Sequence, residues 1–380
     1  MSTNVPVGNQ GDEVDVAIVG AGLAGAATAW AASRRDLSVA LFEQFAIGHR
    51  RGSSHGSARI FRRAYDDELY VRLTGESGEL WRELEADAGT TLLRTTGGID
   101  HGPRDVVELV DQNLIAAGVP HEVLDAGEAG RRWPGMRFEG PAVFDTEAGV
   151  IDADATVRAC IDVSKRRGAV ILESAPVTGI TPLDVGVGLR AGGSYWRARH
   201  VVIAAGAWVA QLLDGIIPVP PVTVTQQQVF HFPRRDLTAD WPIFIHRGAL
   251  FVYGLPGGRD GGQHNGQKVA ENYNGTLTTA TGRDGVVNDA ARSRIVEYVR
   301  DWLPGLVPEP FNETTCLYTT TPDEDFILDQ RGPIIVCSAC SGHGAKFAPW
   351  LGDQAARLAA GDATVQPRFM LGRAGLSGPG

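Results

Sequence analysis

Val14-Asp-Val-Ala-Ile-Val19 runs directly into Gly20-Ala-Gly22-Leu-Ala-Gly25, and then into the Ala-rich stretch from Ala26 to Arg34. The apolar run reads as a buried parallel strand, and the alanines read as a helix. A second buried strand, Leu37-Ser-Val-Ala-Leu-Phe42, follows and ends at Glu43. Strand, glycine turn, helix and strand make a βαβ unit, whose crossover is right-handed. Gly20 suits the tight turn, Gly22 lets the backbone approach a pyrophosphate, and Gly25 lets helix and strand pack closely. The helix N-terminus favours phosphate charge. Glu43 stands where a carboxylate accepts hydrogen bonds from adenosine ribose hydroxyls and repels a 2′-phosphate. The signature thus points to a dinucleotide other than NADP and does not separate FAD from NAD.

Outward from this unit, residues 48–58 form a Gly/Ser/His/Arg loop. Tyr70 to Ala88 has helical periodicity, with Leu73, Leu80, Trp81 and Leu84 on one face. Val157 to Arg167 reads as a helix, and Ala169-Val-Ile-Leu172 and Tyr195 to Ala205 as strands. Residues 222–254 alternate like antiparallel strands. The Gly-rich stretch 256–266 reads as a flexible loop. Ala290 to Trp302 is helical, Ile334 to Cys340 a strand and Phe347 to Ala360 a helix. A poorly ordered tail is expected after Gly361.

The chain has 380 residues, more than one hydrophobic core usually serves. The expected fold class is α/β: a dinucleotide-binding βαβ domain interleaved with an antiparallel-sheet domain. Residues 1–90, 150–220 and 311–380 are assigned to the first, and 91–149 and 221–310 to the second. The net charge of -10 argues against a nucleic-acid partner. The polar, acidic start lacks a signal-peptide pattern and no run of about 18 apolar residues occurs, so a cytoplasmic protein with no membrane partner is expected. Four cysteines do not make a disulfide framework. Cys160, Cys337 and Cys340 read as core residues, and the Cys337/Cys340 pair cannot by itself complete a zinc site, so no metal is expected. Arg63 reads as part of a solvated charge run.

Three further stretches carry a resemblance. They are Gly52-Ser-Ser-His-Gly-Ser-Ala-Arg59-Ile-Phe-Arg62-Arg-Ala-Tyr65, Thr315-Cys316-Leu-Tyr318-Thr-Thr-Thr-Pro-Asp-Glu-Asp-Phe-Ile-Leu328, and Ser341-Gly-His-Gly-Ala-Lys346-Phe. With the N-terminal fingerprint, Arg132-Trp-Pro-Gly135 and Gly206-Ala-Trp208, they resemble the monomeric sarcosine oxidase and N-methyltryptophan oxidase family of flavoproteins over nearly the whole chain. Taken alone, Cys316 reads as a buried small hydrophobe. The resemblance implies instead that Cys316 carries FAD covalently through the 8α carbon. It also implies that Ser53, Ser54, Val177, Gly206, Gly342 and Gly344 line the cofactor, and that Arg59 and Lys268 flank its ring. Lys268 is then the cation associated with dioxygen. Arg62 and Lys346 hold a substrate carboxylate, an arrangement that suits a guanidinium fork. Tyr253, His343 and Tyr318 fall at pocket positions, and His343 fits a structural histidine equally well.

The implied activity is that of a monomeric amine oxidase. A secondary amino acid passes hydride from the carbon next to its nitrogen to flavin N5, and dioxygen becomes hydrogen peroxide. A dehydrogenase with another electron acceptor is the alternative. Two positions depart from the family pattern: Ala345 replaces a Phe, and Asn272 replaces the His of the sarcosine enzymes. A larger pocket is expected, with a substrate bulkier than sarcosine.

Overall fold

The fold is taken from a computed structural model, in which residues 13–338 and 341–373 are described. Strand β1 (Glu13–Val19), helix α1 (Leu23–Ser33) and strand β2 (Val39–Phe42) form the expected βαβ unit. β1 lies parallel to β2 on one side and to the strand Ser194–Ile203 on the other. The strands Val170–Leu172 and Ile334–Ser338 extend the parallel core outward. An antiparallel hairpin, Val177–Pro182 with Val187–Ala191, widens this sheet to eight strands together with Ile327–Arg331. Val16, Ala17, Ile18 and Leu41 are fully buried, which is why these strands carry continuous apolar runs rather than alternation.

One face of this sheet is covered by α1, by Ala153–Arg166 and by Ala348–Ala360, which share a core with Trp30, Trp81 and Phe347. Strand β3 (Arg59–Phe61) and helix α2 (Glu68–Ala88) follow the Gly/Ser loop. Asp67 caps α2 by accepting the Leu69 N–H at 2.9 Å. The helix buries Leu73, Trp81 and Leu84, as its apolar face requires.

A second, nine-stranded sheet is mostly antiparallel. Its longest strand, Thr223–Phe232, pairs with both Gln267–Glu271 and Asn312–Thr320. One parallel contact, Gly98–His101 with Ile243–Arg247, interrupts the pattern. The strand Asn312–Thr320, which carries Cys316, hydrogen-bonds in this sheet and not in the first.

Two local expectations are corrected. Residues 256–266 are not a featureless loop: Gly258–His264 forms a three-ten segment. The Ser57 N–H donates to Asp260 at 2.7 Å and the Asp260 N–H donates to the Ser57 hydroxyl at 2.9 Å, so side-chain bonding overrides a glycine-rich composition. Residues 362–373 are also anchored, while 374–380 lie outside the described residues. Pro367–Phe369 forms a helical turn, Phe369 is fully buried against Phe326 and Trp350, and Arg368 pairs with Asp67 and Asp325. Cys160 and Cys337 lie in the core, whereas Cys340 lies outside the described residues. Burial pushes the Cys160 thiol up. Among the described residues no helix is long and apolar enough to cross a membrane.

Candidate active site

The turn after β1 is built by its glycines. Gly20 has φ +101°, and a Cβ at Gly25 would lie 1.8 Å from the Gly20 carbonyl oxygen. The tight turn leaves the first N–H groups of α1 pointing outward. Glu43, at the end of β2, accepts the Ala21 N–H at 2.8 Å and the Phe45 N–H at 2.9 Å, and its carboxylate lies 3.4 Å from His49 Nε2. Burial pushes its carboxyl up, but the bond to His49 and the two backbone donors outweigh this and hold it below the ordinary range. An ionised acceptor therefore stands beside the turn. Ser54 Oγ accepts the Leu23 N–H at 3.0 Å, which seats the Gly/Ser loop on α1.

From this turn a cavity of 810 Å³ extends to the second sheet. Gly20, Gly22, Glu43, Ser53, Ser54, Val177 and Gly206 line it, and so do Arg59, Arg62, Tyr253, Lys268, Cys316, Tyr318, Gly342, His343, Gly344 and Lys346. Of the positions singled out from the sequence, Gly25 alone lies off the wall, under the turn it permits. Residues more than 300 positions apart are thus gathered around one space.

Buried charge gathers around Arg62 and Lys346. Arg62 Nη1 lies 3.4 Å from Asp100 Oδ2, and the guanidinium stacks 4.3 Å above the Tyr65 ring. Burial opposes the charge of Arg62, yet Asp100 leads a set of anions that holds its pKa above the ordinary value. Arg247 meets the same Asp100 at 3.5 Å and Asp66 at 3.1 Å. Lys346 sits in the three-ten turn Gly344–Phe347, where Ser77 Oγ and Trp81 Nε1 both donate to its carbonyl. Its ammonium donates to the His343 carbonyl at 3.0 Å. Burial, then Arg62, pushes Lys346 well below its ordinary pKa, against the pull of Asp100. Arg62 and Arg247 are balanced by Asp100 and Asp66, whereas Lys346 has no carboxylate at ion-pair distance among the described residues.

Lys268 is buried and donates to the Ala58 carbonyl at 3.1 Å. Burial, then Arg59, pulls it down to about 7, against Cys316 and Asp260. Arg59 itself is tied to the carbonyls of Ser53, His55 and Ala58. Tyr253 and Tyr318 share a hydrogen bond; burial pushes Tyr253 up to about 12 and Tyr318 well above its ordinary value. His343 is half-buried, with Nδ1 3.2 Å from the Tyr65 hydroxyl and Nε2 3.2 Å from the Glu324 carbonyl. Burial, then Lys346, pulls it down to about 3. His343 is therefore both a hydrogen-bonded structural residue and a wall of the cavity.

Cys316 is 8 % exposed and packs with Val229, Tyr253, Ala270 and Tyr318. Ala345 and Asn272 also line the cavity. Arg63 is not solvated: it lies against Glu147 at 3.4 Å and its side chain is 18 % exposed. His49, in the loop 48–58, faces Glu43. Asp100 was not legible as a site residue; it lies in the short, wholly buried strand Gly98-Ile-Asp-His101.

These residues fit a dinucleotide-linked ring. A Cβ at Gly22 would come within 3.0 Å of Ser54 Oγ, so the glycine leaves open the space that a pyrophosphate needs. Glu43 is an acceptor of the kind a ribose needs, and the cations are of the kind that suits an electron-rich ring or an acid.

Comparison with known proteins agrees. A family model described as DAO, FAD dependent oxidoreductase, matches residues 15–358. The human peroxisomal sarcosine oxidase is 33% identical over 360 residues, 90% of this chain and 91% of that protein. The monomeric sarcosine oxidase of Streptomyces avermitilis is 33% identical over 93% of this chain and 95% of its own length. The N-methyl-L-tryptophan oxidase of Yersinia pestis is 30% identical over 91% and 95%. Among solved structures, the open form of NikD, an amino acid oxidase essential for nikkomycin biosynthesis, superposes with a TM-score of 0.83 at 24% identity, covering 96% of this chain and 98% of NikD. That likeness speaks to the fold.

Proposed function

We propose a specific reaction for this chain, which belongs to the DAO family of FAD dependent oxidoreductases: a secondary amino acid plus dioxygen gives an imine plus hydrogen peroxide. The observation that carries this reading is that Arg62 and Lys346, both at the Tyr65 ring, line the same cavity as Gly20 and Gly22 of the turn.

Arg62 and Lys346 hold the carboxylate of the amino acid, and the cations around them make that contact charge-assisted. Tyr253, Tyr318 and His343 are neutral near pH 7 and offer no strong base there. With the amine bound in its neutral form no strong base is needed, and orientation supplies much of the rate. Bound FAD supplies the two-electron acceptor that no side chain provides. Lys268 places a cation in the same cavity, where it favours negative charge developing on dioxygen.

Cys316 is read as the covalent anchor of FAD. In this reading residues 1–90, 150–220 and 311–380 serve the cofactor, and 91–149 and 221–310 serve the substrate. The strand Asn312–Thr320 bridges the two, since it brings Cys316 to the cofactor while pairing in the second sheet. Ala345 and Asn272 leave room beside the carboxylate clamp, which supports a substrate larger than sarcosine, N-alkylated or cyclic.

A comparison of kcat/KM for sarcosine, larger N-alkyl amino acids and cyclic amino acids tests this, with peroxide as the readout. Preference for the larger compounds is expected. A clear preference for sarcosine overturns the size assignment. Fast turnover with dyes but not with dioxygen overturns the oxidase assignment in favour of a dehydrogenase.

A further inference from the structure

The strand that carries Cys316 pairs with Thr223–Phe232 along one edge; its other edge meets no strand among the described residues. Backbone carbonyls alternate sides along a strand, so those of Thr315 and Leu317 face the same way, on either side of Cys316. Both are taken up. Leu317 O accepts the Ser53 hydroxyl at 2.6 Å. Thr315 O accepts Arg283 Nη2, and Thr315 Oγ1 accepts Arg283 Nε at 3.0 Å. The same guanidinium reaches across to donate from Nη1 to the Arg50 carbonyl at 2.7 Å.

The cavity-lining loop is thereby stitched to the strand twice, once through Arg283 before Cys316 and once through Ser53 after it. Arg283 comes from residues 278–288, which hold no regular element. This stretch is itself anchored on Thr223–Phe232, because Gln226 donates to Asp284 at 2.8 Å and accepts the Gly285 N–H at 3.1 Å. A planar fork with separate donors can serve Thr315 and Arg50 together, whereas a lysine head is a single point.

We propose that Arg283 is a positioning residue for covalent attachment of FAD at Cys316, fixing the Thr315–Leu317 backbone against the loop 50–53. The proposal rests on the reading of Cys316 as the flavin-bearing residue. In the attachment step a bond forms between Cys316 Sγ and the 8α carbon. The S–H bond and one 8α C–H bond break, and both hydrogens with two electrons remain on the ring in its reduced form. Dioxygen then takes them as hydrogen peroxide, which restores the oxidised ring. The step needs sulfur and carbon at a near-attack distance, and misplacement by about 1 Å can cost on the order of a hundredfold.

The test compares wild type with Arg283→Lys and Arg283→Leu, expressed with ample riboflavin for the end point and with riboflavin withheld for the rate of linkage to added FAD. Total bound FAD is read from absorbance, the covalent fraction from the mass of the denatured chain, and folding from the thermal midpoint. Wild type is expected to be fully linked. In Arg283→Lys bound FAD and the thermal midpoint are expected to stay near wild type, while the rate of linkage to added FAD falls on the order of tenfold or more. Arg283→Leu is expected to be slower still. Linkage at the wild-type rate in Arg283→Lys overturns the proposal. Loss of linkage only in step with loss of total FAD or of folding also overturns it, since that marks a merely structural residue. Absence of any adduct in wild type instead overturns the reading of Cys316 on which the proposal rests.

Discussion

Arg62 Nη1 lies 3.4 Å from Asp100 Oδ2, and both side chains are buried. Removing one partner of a buried ion pair costs about 3–5 kcal/mol, because the other charge is left uncompensated. Asp100→Asn is therefore expected to lower the thermal midpoint. A bound carboxylate supplies the missing anion, so it should recover more stability in the variant than in wild type. Thermal unfolding with and without an acidic substrate analogue checks this; equal ligand shifts would remove Asp100 from the balance around Arg62.

Lys346 is held well below its ordinary pKa by burial and by Arg62. An acidic ligand reverses that imbalance by placing an anion beside the amine. Binding of a carboxylate is expected to raise the Lys346 pKa, so a proton is taken up wherever the amine is neutral before binding, and affinity should fall as pH rises. Titration calorimetry in buffers of different ionisation enthalpy measures the uptake directly. Lys346→Met should abolish it, whereas unchanged uptake would place the titrating group elsewhere.

Lys268 titrates near 7 in the folded chain, lowered from 10.5 by burial and Arg59. Its ammonium is present below that value and is lost above it. Re-oxidation of the reduced enzyme by dioxygen should therefore slow as pH rises through about 7. Lys268→Met should be slow at all pH values, by roughly a hundredfold to a thousandfold, as for loss of a preorganised charge. The same shift makes the unfolded chain bind more protons between about 7 and 10.5, so Lys268 weakens folding most below 7 and this cost fades toward 10.5. Stopped-flow re-oxidation against pH is the check; a flat profile in wild type would contradict the role given to Lys268.

Ala345 lines the cavity with Arg62 and Lys346. Ala345→Phe is expected to shrink the pocket and move preference toward sarcosine. The change in the ratio of kcat/KM values should be about tenfold or more, in line with roughly 1–3 kcal/mol for a few methylene-sized contacts. An unchanged ratio would mean that substrate does not reach this wall.

The βαβ unit was legible because its residues obey strict local rules. A buried parallel strand must be apolar throughout, and the Gly20–Gly25 turn admits no side chain at two points. The charged lining was legible only through motif resemblance, since Arg59, Arg62, Lys268 and Lys346 look like ordinary surface cations in isolation. Asp100 and Arg283 were missed for a physical reason. Each acts through a partner far away in sequence, and neither sits in a pattern that local periodicity registers. The Gly258–His264 segment was misread because composition reports backbone freedom but not the Ser57–Asp260 bonds that remove it. Phe369 was misread with the tail because its binding surface is assembled from distant aromatic residues.

The most direct test of an amino acid oxidase built on this cavity is an anaerobic titration. The purified yellow protein is mixed without dioxygen with a larger N-alkyl or cyclic amino acid, and then air is admitted. The expected result is bleaching of the flavin band by one equivalent of substrate, followed by return of colour and release of one equivalent of hydrogen peroxide. A flavin band that no amino acid in the panel bleaches would contradict it.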